Sequence, residues 1–150
     1  MSGVRASLAA AIACGACSHP ATPSASWQSA NLRRDEITAL WTQIRDWRRE
    51  ASMQVEPDAG AVLAARRQSV RAAATVCPDD HRPAPACEDV CGLADAICEN
   101  AEAICAIARE LGDDPWAEEK CGSAKASCRE AQERCCGCEP DAEALAPEDA

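Results

Sequence analysis

The stretches CGLADAICENAEAIC at 91–105 and CGSAKASCREAQERC at 121–135 decide how this chain folds. Each holds three cysteines seven residues apart, which is two helical turns, so the three thiols share one helical face. Cysteines of the two stretches also pair symmetrically about residue 113, as two antiparallel stripes would. The pattern predicts a helical hairpin stapled by a ladder of three disulfides, Cys91–Cys135, Cys98–Cys128 and Cys105–Cys121.

The residues between the two stretches support a turn at this midpoint. Gly112 is typical of a helix C-terminus, Asp114 of an N-cap, and Pro115 of a first helical position. The two stretches are related by an internal repeat, and each has a glycine after its first cysteine, Gly92 and Gly122. Since glycine inside a helix costs about 1 kcal/mol relative to alanine, we expect close packing at both glycines.

Composition indicates a chain that depends on covalent links for stability. The 150 residues include no Phe or Tyr, four Trp and 12 Cys. A disulfide that closes a loop of about 15 residues contributes roughly 3 kcal/mol in the chain-entropy model, against a total domain stability of about 5 to 15 kcal/mol. Disulfides would therefore supply a large share of the stability.

The N-terminal 76 residues predict a second helical hairpin. Apolar side chains recur at helical spacing from Ile37 to Trp47, and Arg45, Arg48 and Arg49 are assigned to the other faces of that helix. An alanine-rich helix follows and stops at Cys77-Pro78. The predicted fold is all-α, with four helices in two antiparallel hairpins.

The first residues predict export. Met1 to Ala13 holds one positive charge and a short apolar run that ends at Cys14, too short for a transmembrane helix of about 20 residues. The segment resembles a bacterial lipoprotein signal, in which the cysteine after small residues is lipidated. This resemblance implies a lipid, such as palmitate, on Cys14, with Cys17 as the alternative.

These features divide the chain into six segments. They are a signal peptide at 1–13, a flexible tether at 14–29, the N-terminal hairpin at 30–76, a proline-rich linker at 77–85, the cysteine-rich hairpin at 86–138 and a disordered acidic tail at 139–150.

Four further cysteines flank the ladder. Cys87 with Cys138 extends the symmetry by one rung, and Cys77 with Cys136 would then tie the linker to the hairpin. The adjacent Cys135 and Cys136 leave exchange between these partners open.

Two other chemistries start from the same cysteines. Thiolates of Cys87, Cys91, Cys135 and Cys138 could converge on zinc or copper(I), in a pattern that resembles the cysteine-lined bundles of bacterial copper storage proteins. Alternatively, Cys135 and Cys138 could form the redox pair of a thiol-disulfide oxidoreductase. Reactive thiols usually lie at helix N-termini, whereas this pair closes a helix.

The chain as a whole resembles cysteine-rich lipoproteins of GC-rich bacteria, a class of unknown function, in its signal, tether and cysteine pattern. Its hairpin is also similar in architecture to the mitochondrial twin-cysteine-motif proteins. The likeness to the lipoproteins implies a cell-envelope protein, lipid-anchored at the periplasmic or outer membrane face. Because the sequence contains no nucleophile with a base, no paired carboxylates in an apolar pattern and no phosphate loop, it predicts a structural or protein-binding role. We expect a membrane contact through the lipid, an unidentified protein partner, no enzymatic activity and no cofactor. The net charge of −10 argues against nucleic-acid binding.

Overall fold

The computed structural model describes residues 25–78 and 82–138, and this part of the chain contains helices and no strands. The helices are α1 (Ala25–Glu50), α2 (Ala59–Ala65), α3 (Val70–Ala74), α4 (Glu88–Leu111) and α5 (Pro115–Cys136), with a 3-10 turn at Pro85–Cys87 before α4. The predicted all-α class and the disulfide-stapled C-terminal region are confirmed.

Helices α4 and α5 form the central hairpin, and three residues make its turn. Gly112 ends α4 with a φ of +69°, in the left-handed region that glycine adopts without strain. Asp114 begins α5 by accepting hydrogen bonds from the backbone N–H groups of Trp116 and Ala117. Pro115 occupies the first helical position, where no N–H is needed.

Helix α1 packs along this hairpin as a third long helix. Arg33 of α1 pairs with Glu110 near the end of α4, so α1 runs antiparallel to α4. Arg34 pairs with Asp114 at the start of α5, and α1 therefore runs parallel to α5. The shared core consists mainly of alanine, cysteine and isoleucine side chains, together with the buried ring of Trp41. Its isoleucines are Ile37, Ile44, Ile97, Ile104 and Ile107.

The predicted second N-terminal helix is two short helices, which raises the helix count from four to five. Ser69 interrupts it, because its side chain accepts the Ala72 N–H and starts α3 as a new helix. Lys125 of α5 stabilises the break by donating to the carbonyl oxygens of Arg66 and Gln68, at 3.0 and 2.9 Å. A side chain from outside the segment thus caps the end of α2.

The packing of the N-terminal helices also differs from the predicted hairpin. Helices α2 and α3 contact α5, and α3 also contacts α4, while α1 makes its main contacts with α4 and α5. The N-terminal segment therefore wraps around the hairpin. Its residues could not form a separate hairpin with a core of their own, since α2 and α3 have only seven and five residues.

Helix α1 begins at Ala25, inside the predicted tether of residues 14–29. Between Pro23 and this helix the sequence has no further proline or glycine, so nothing opposes helix formation from there. The predicted signal peptide 1–13, both lipidation candidates and the acidic tail 139–150 lie outside the described residues.

The two repeat-related glycines have different surroundings. A Cβ placed on Gly122 would lie 3.3 Å from Arg66 Cγ, whereas a Cβ on Gly92 would meet nothing within 4 Å. The expected close packing is present at Gly122 and absent at Gly92. Position 92 is exposed on the surface of α4.

We therefore expect Gly92→Ala to raise the free energy of unfolding by about 1 kcal/mol, because alanine is the better helix former and no contact is lost. Gly122→Ala should gain less, since the Arg66 side chain must shift to admit the methyl group. Urea unfolding of both variants beside the parent protein measures the difference. Equal gains at the two positions would contradict the packing described here.

Candidate functional site

Five disulfides bind all ten cysteines of the described residues. Their pairs are Cys77–Cys136, Cys87–Cys138, Cys91–Cys135, Cys98–Cys128 and Cys105–Cys121. The three inner pairs are those that the symmetry about residue 113 indicates, Cys87–Cys138 is centred within half a residue of it, and Cys77–Cys136 joins the two cysteines that remain. Because disulfides persist in oxidising compartments, the set is consistent with an extracellular or periplasmic location.

Small residues allow the two helices to approach closely enough for the three inner disulfides. The Cα atoms of these pairs lie 4.8, 4.6 and 4.7 Å apart, at the short end of the range that a disulfide spans. Alanines are buried between the rungs on both helices, at positions 94, 101 and 108 of α4 and 117, 124 and 131 of α5. A larger side chain at these sites would push the helices apart.

The disulfides occupy the sulfurs that the two alternative chemistries need. Cys135 and Cys138 belong to two different disulfides and do not form a C-x-x-C redox pair. The proposed thiolate ligands, Cys87 and Cys91 with these two, are all oxidised. Among residues 25–78 and 82–138, no three His, Cys, Asp or Glu side chains converge as ligands for a metal ion.

A second cluster fixes the point where the chain crosses from α1 to α2. The carboxylate of Glu130 accepts a hydrogen bond from Arg48 Nη2 at 2.7 Å and one from the Asp58 N–H at 3.2 Å. Arg48 also donates from Nε to the Gln54 carbonyl oxygen at 2.7 Å. One glutamate of α5 thereby holds both the end of α1 and the start of α2.

Sequence reasoning missed this cluster by placing Arg48 on an exposed face. Its side chain is 1% exposed, and its Nη1 is buried without a hydrogen-bond partner. A signal was available, because Ile37, Trp41, Ile44 and Arg48 follow one another at steps of four, three and four residues. Arg48 therefore continues the apolar face of α1.

A third cluster joins α1 to the hairpin turn. Arg34 Nε donates to Asp114 Oδ2 at 2.8 Å, while Asp114 Oδ1 accepts the N–H groups of Trp116 and Ala117. The hydrogen bond from Arg34 and the two backbone donors hold the pKa of Asp114 below its ordinary value of 3.8. The ionised carboxylate is thus the form that the fold stabilises.

We expect Asp114→Asn to be destabilising at pH 7 and nearly neutral in strong acid. The pKa of Asp114 is lower in the folded state, so its charge stabilises the fold above pH 4, and this contribution is lost as pH falls through the folded pKa. Asparagine keeps the N-cap but removes the charge that Arg34 faces. Urea unfolding at pH 7 and pH 2.5 would show whether the gap between parent and variant closes; a constant gap would contradict this assignment.

A concave surface lies over the innermost disulfide. It is a groove of about 1200 Å³ between α3, α4 and α5, lined in part by Cys105, Cys121 and neighbouring alanines. Glutamates 99, 102, 118 and 119 stand around it, together with Arg66 and Arg109. The groove is mixed in charge, and its concave shape could receive another group.

Comparison with known proteins finds no matching family model, no matching curated protein and no matching solved structure. Within the described residues, none of the helices has the length and apolar content needed to cross a bilayer. The functional assignment therefore depends on the disulfides, the groove and the sequence of the first residues.

Proposed function

We propose that this protein is an exported, lipid-anchored module of the cell envelope with a structural or protein-binding role. The observation that carries the proposal is the set of five disulfides, which leaves no free thiol among the described residues. Four of them lie within one 52-residue hairpin, between Cys87 and Cys138. A chain built this way is suited to holding its shape in an oxidising compartment without a large core.

The lipid anchor is supported by the signal-like sequence before Cys14. Residues 15 to 24 would separate a lipid on Cys14 from the start of α1, and an extended chain of this length reaches roughly 35 Å. The folded part could therefore stand clear of a membrane surface while remaining attached to it. The groove over Cys105–Cys121 is the surface that we assign to a protein partner.

Metabolic labelling with a palmitate analogue, followed by fractionation of the envelope, tests the anchor. We expect Cys14→Ala to abolish labelling and to release soluble protein or leave a heavier precursor. Cys17→Ala is the matched control and should keep the label. Loss of label in Cys17→Ala alone would move the site to Cys17, and an unlabelled parent protein would overturn the proposal of an anchor.

The partner assignment has its own test, which does not depend on the lipid. A photo-crosslinker at position 103, in the groove, should give a defined crosslinked product in the envelope, whereas one at position 39, on the exposed side of α1, should not. Crosslinks of equal yield from both positions, or none from either, would contradict a partner in the groove.

A further inference from the structure

The disulfide Cys77–Cys136 differs from the other four in position. Each of the other four joins two cysteines within residues 87–138, so it links the two arms of the hairpin to each other. Cys77–Cys136 joins α5 to the first residue of the linker, just after the end of α3. In the described part of the chain, it is the disulfide that fastens α2 and α3 to the hairpin.

Exposure also sets this disulfide apart. Neither Cys77 nor Cys136 is buried. Each of the other four disulfides includes a cysteine that is at most 8% exposed: Cys87, Cys91, Cys98 and Cys105. A thiolate must reach a sulfur along the S–S axis to break the bond, so access favours attack at Cys77–Cys136.

The side chains that α2 and α3 bury fully against the hairpin are small, Ala65 and Ala73, and few hydrogen bonds join these helices to α5. Lys125 donates to two carbonyl oxygens in this segment, and Arg129 donates to the Gln68 side chain at 3.4 Å. Helices of seven and five residues are not stable alone in water. Removing the covalent bond should therefore allow the segment to open.

The hairpin does not need this bond for its own register. With Cys87–Cys138 intact, Cys77–Cys136 closes only a small covalent ring. This ring runs along the chain from 77 to 87, crosses the Cys87–Cys138 bond and returns from 138 to 136. Four disulfides, centred within half a residue of position 113, continue to fix α4 against α5. Opening is thus confined to one flank.

We propose that Cys77–Cys136 is a reducible clasp, which a dithiol reductant opens to free α2 and α3 from α5 while the ladder stays oxidised. The flank that would be uncovered carries Gly122, Lys125, Ala126 and Arg129 on successive turns of α5. This is a redox-controlled change of surface that goes beyond a fixed structural role.

The chemistry is a two-electron exchange. A thiolate of the dithiol attacks Cys136 Sγ, a mixed disulfide forms, and the bond to Cys77 breaks; the Cys77 sulfur keeps the electron pair and takes up a proton. The second thiol of the reductant then attacks the mixed disulfide and leaves as an intramolecular disulfide, releasing Cys136 as a thiol. Cys77 is the better leaving group, because Cys136 ends α5, where the helix dipole disfavours a thiolate.

Graded reduction tests the order of opening. Oxidised protein is treated with increasing dithiothreitol, trapped with iodoacetamide and mapped by mass spectrometry. We expect Cys77 and Cys136 to be labelled at reductant concentrations at least tenfold below those that label the eight cysteines of the other four disulfides. Simultaneous labelling of Cys87 and Cys138, or label on Cys91 at the same concentration, would overturn the proposal.

Hydrogen exchange tests the consequence. In Cys77→Ala/Cys136→Ala, amides of residues 59–74 should exchange at least tenfold faster than in the parent protein, with α4 and α5 unchanged. Cys98→Ala/Cys128→Ala is the matched control, since it removes a disulfide without touching this segment, and residues 59–74 should keep their protection in it. Unchanged exchange at 59–74 in the first variant would show that the bond is not a clasp.

Discussion

Replacing both Cys98 and Cys128 with alanine is expected to lower the free energy of unfolding by about 3 kcal/mol, even though four disulfides remain. Cys98–Cys128 lies between Cys91–Cys135 and Cys105–Cys121, and it divides the covalent ring that those two bonds close into two smaller rings, each with seven residues of either helix. Without it the two rings become one, and the unfolded chain regains the conformational entropy that the bond removes. The loss is that of a loop of about 15 residues, smaller than the sequence separation of 30 suggests.

Urea unfolding under non-reducing conditions measures this effect. The matched control is the same pair of proteins after complete reduction and alkylation, in which the difference should vanish because no bond remains to constrain the unfolded chain. A difference that persisted after reduction would place the stabilisation in the packing of the Cys98 and Cys128 side chains.

Glu130→Ala should be comparably or more destabilising, by about 3 to 5 kcal/mol. The guanidinium of Arg48 is 1% exposed and would be left inside the protein without its negative partner. The Asp58 N–H would lose its acceptor at the same time, so the crossing between α1 and α2 would loosen. The Glu130 carboxylate thus stabilises both the buried Arg48 guanidinium and the chain segment that joins α1 to α2.

Glu133→Ala is the control for this prediction. Glu133 pairs with Arg129 across one turn of the same helix, with both side chains more than 40% exposed, and its removal should cost no more than about 0.5 kcal/mol. Adding Arg48→Met to Glu130→Ala should recover much of the loss, because no buried charge then remains. Failure of that rescue would show that Arg48 contributes mainly through its contact with Gln54.

The hairpin could be predicted from sequence because two periodic cysteine stripes determine register as well as direction. A step of seven residues defines the helical face, and symmetry about residue 113 assigns each partner. The turn at Gly112 and Asp114 supplies an independent local signal. The lipid, the anchor and the enzymatic status remain predictions, since they concern residues or activities that the structure does not describe.

The N-terminal half was harder to predict because its order comes from partners outside it. The break between α2 and α3 depends on Lys125, which is about 60 residues away along the chain. No local sequence pattern indicates this contact. Arg48 was misplaced because charge was given more weight than helical position. Apolar character alone does not predict burial either, because Trp27 is 58% exposed at the start of α1.

The nested order of the disulfides constrains how the chain can mature. Synthesis proceeds from the N-terminus, so the first five described cysteines, residues 77 to 105, are all made before any of their partners. Cysteines seven apart on a formed helix are separated by about 10.5 Å along its axis, beyond the roughly 6.8 Å that a disulfide spans. Early coiling of α4 therefore protects its thiols from one another until α5 arrives, and a hairpin that slips by one heptad could close only two of the three inner rungs. The number of rungs therefore selects the correct register, because only the properly aligned hairpin leaves no cysteine of the two stripes unpaired.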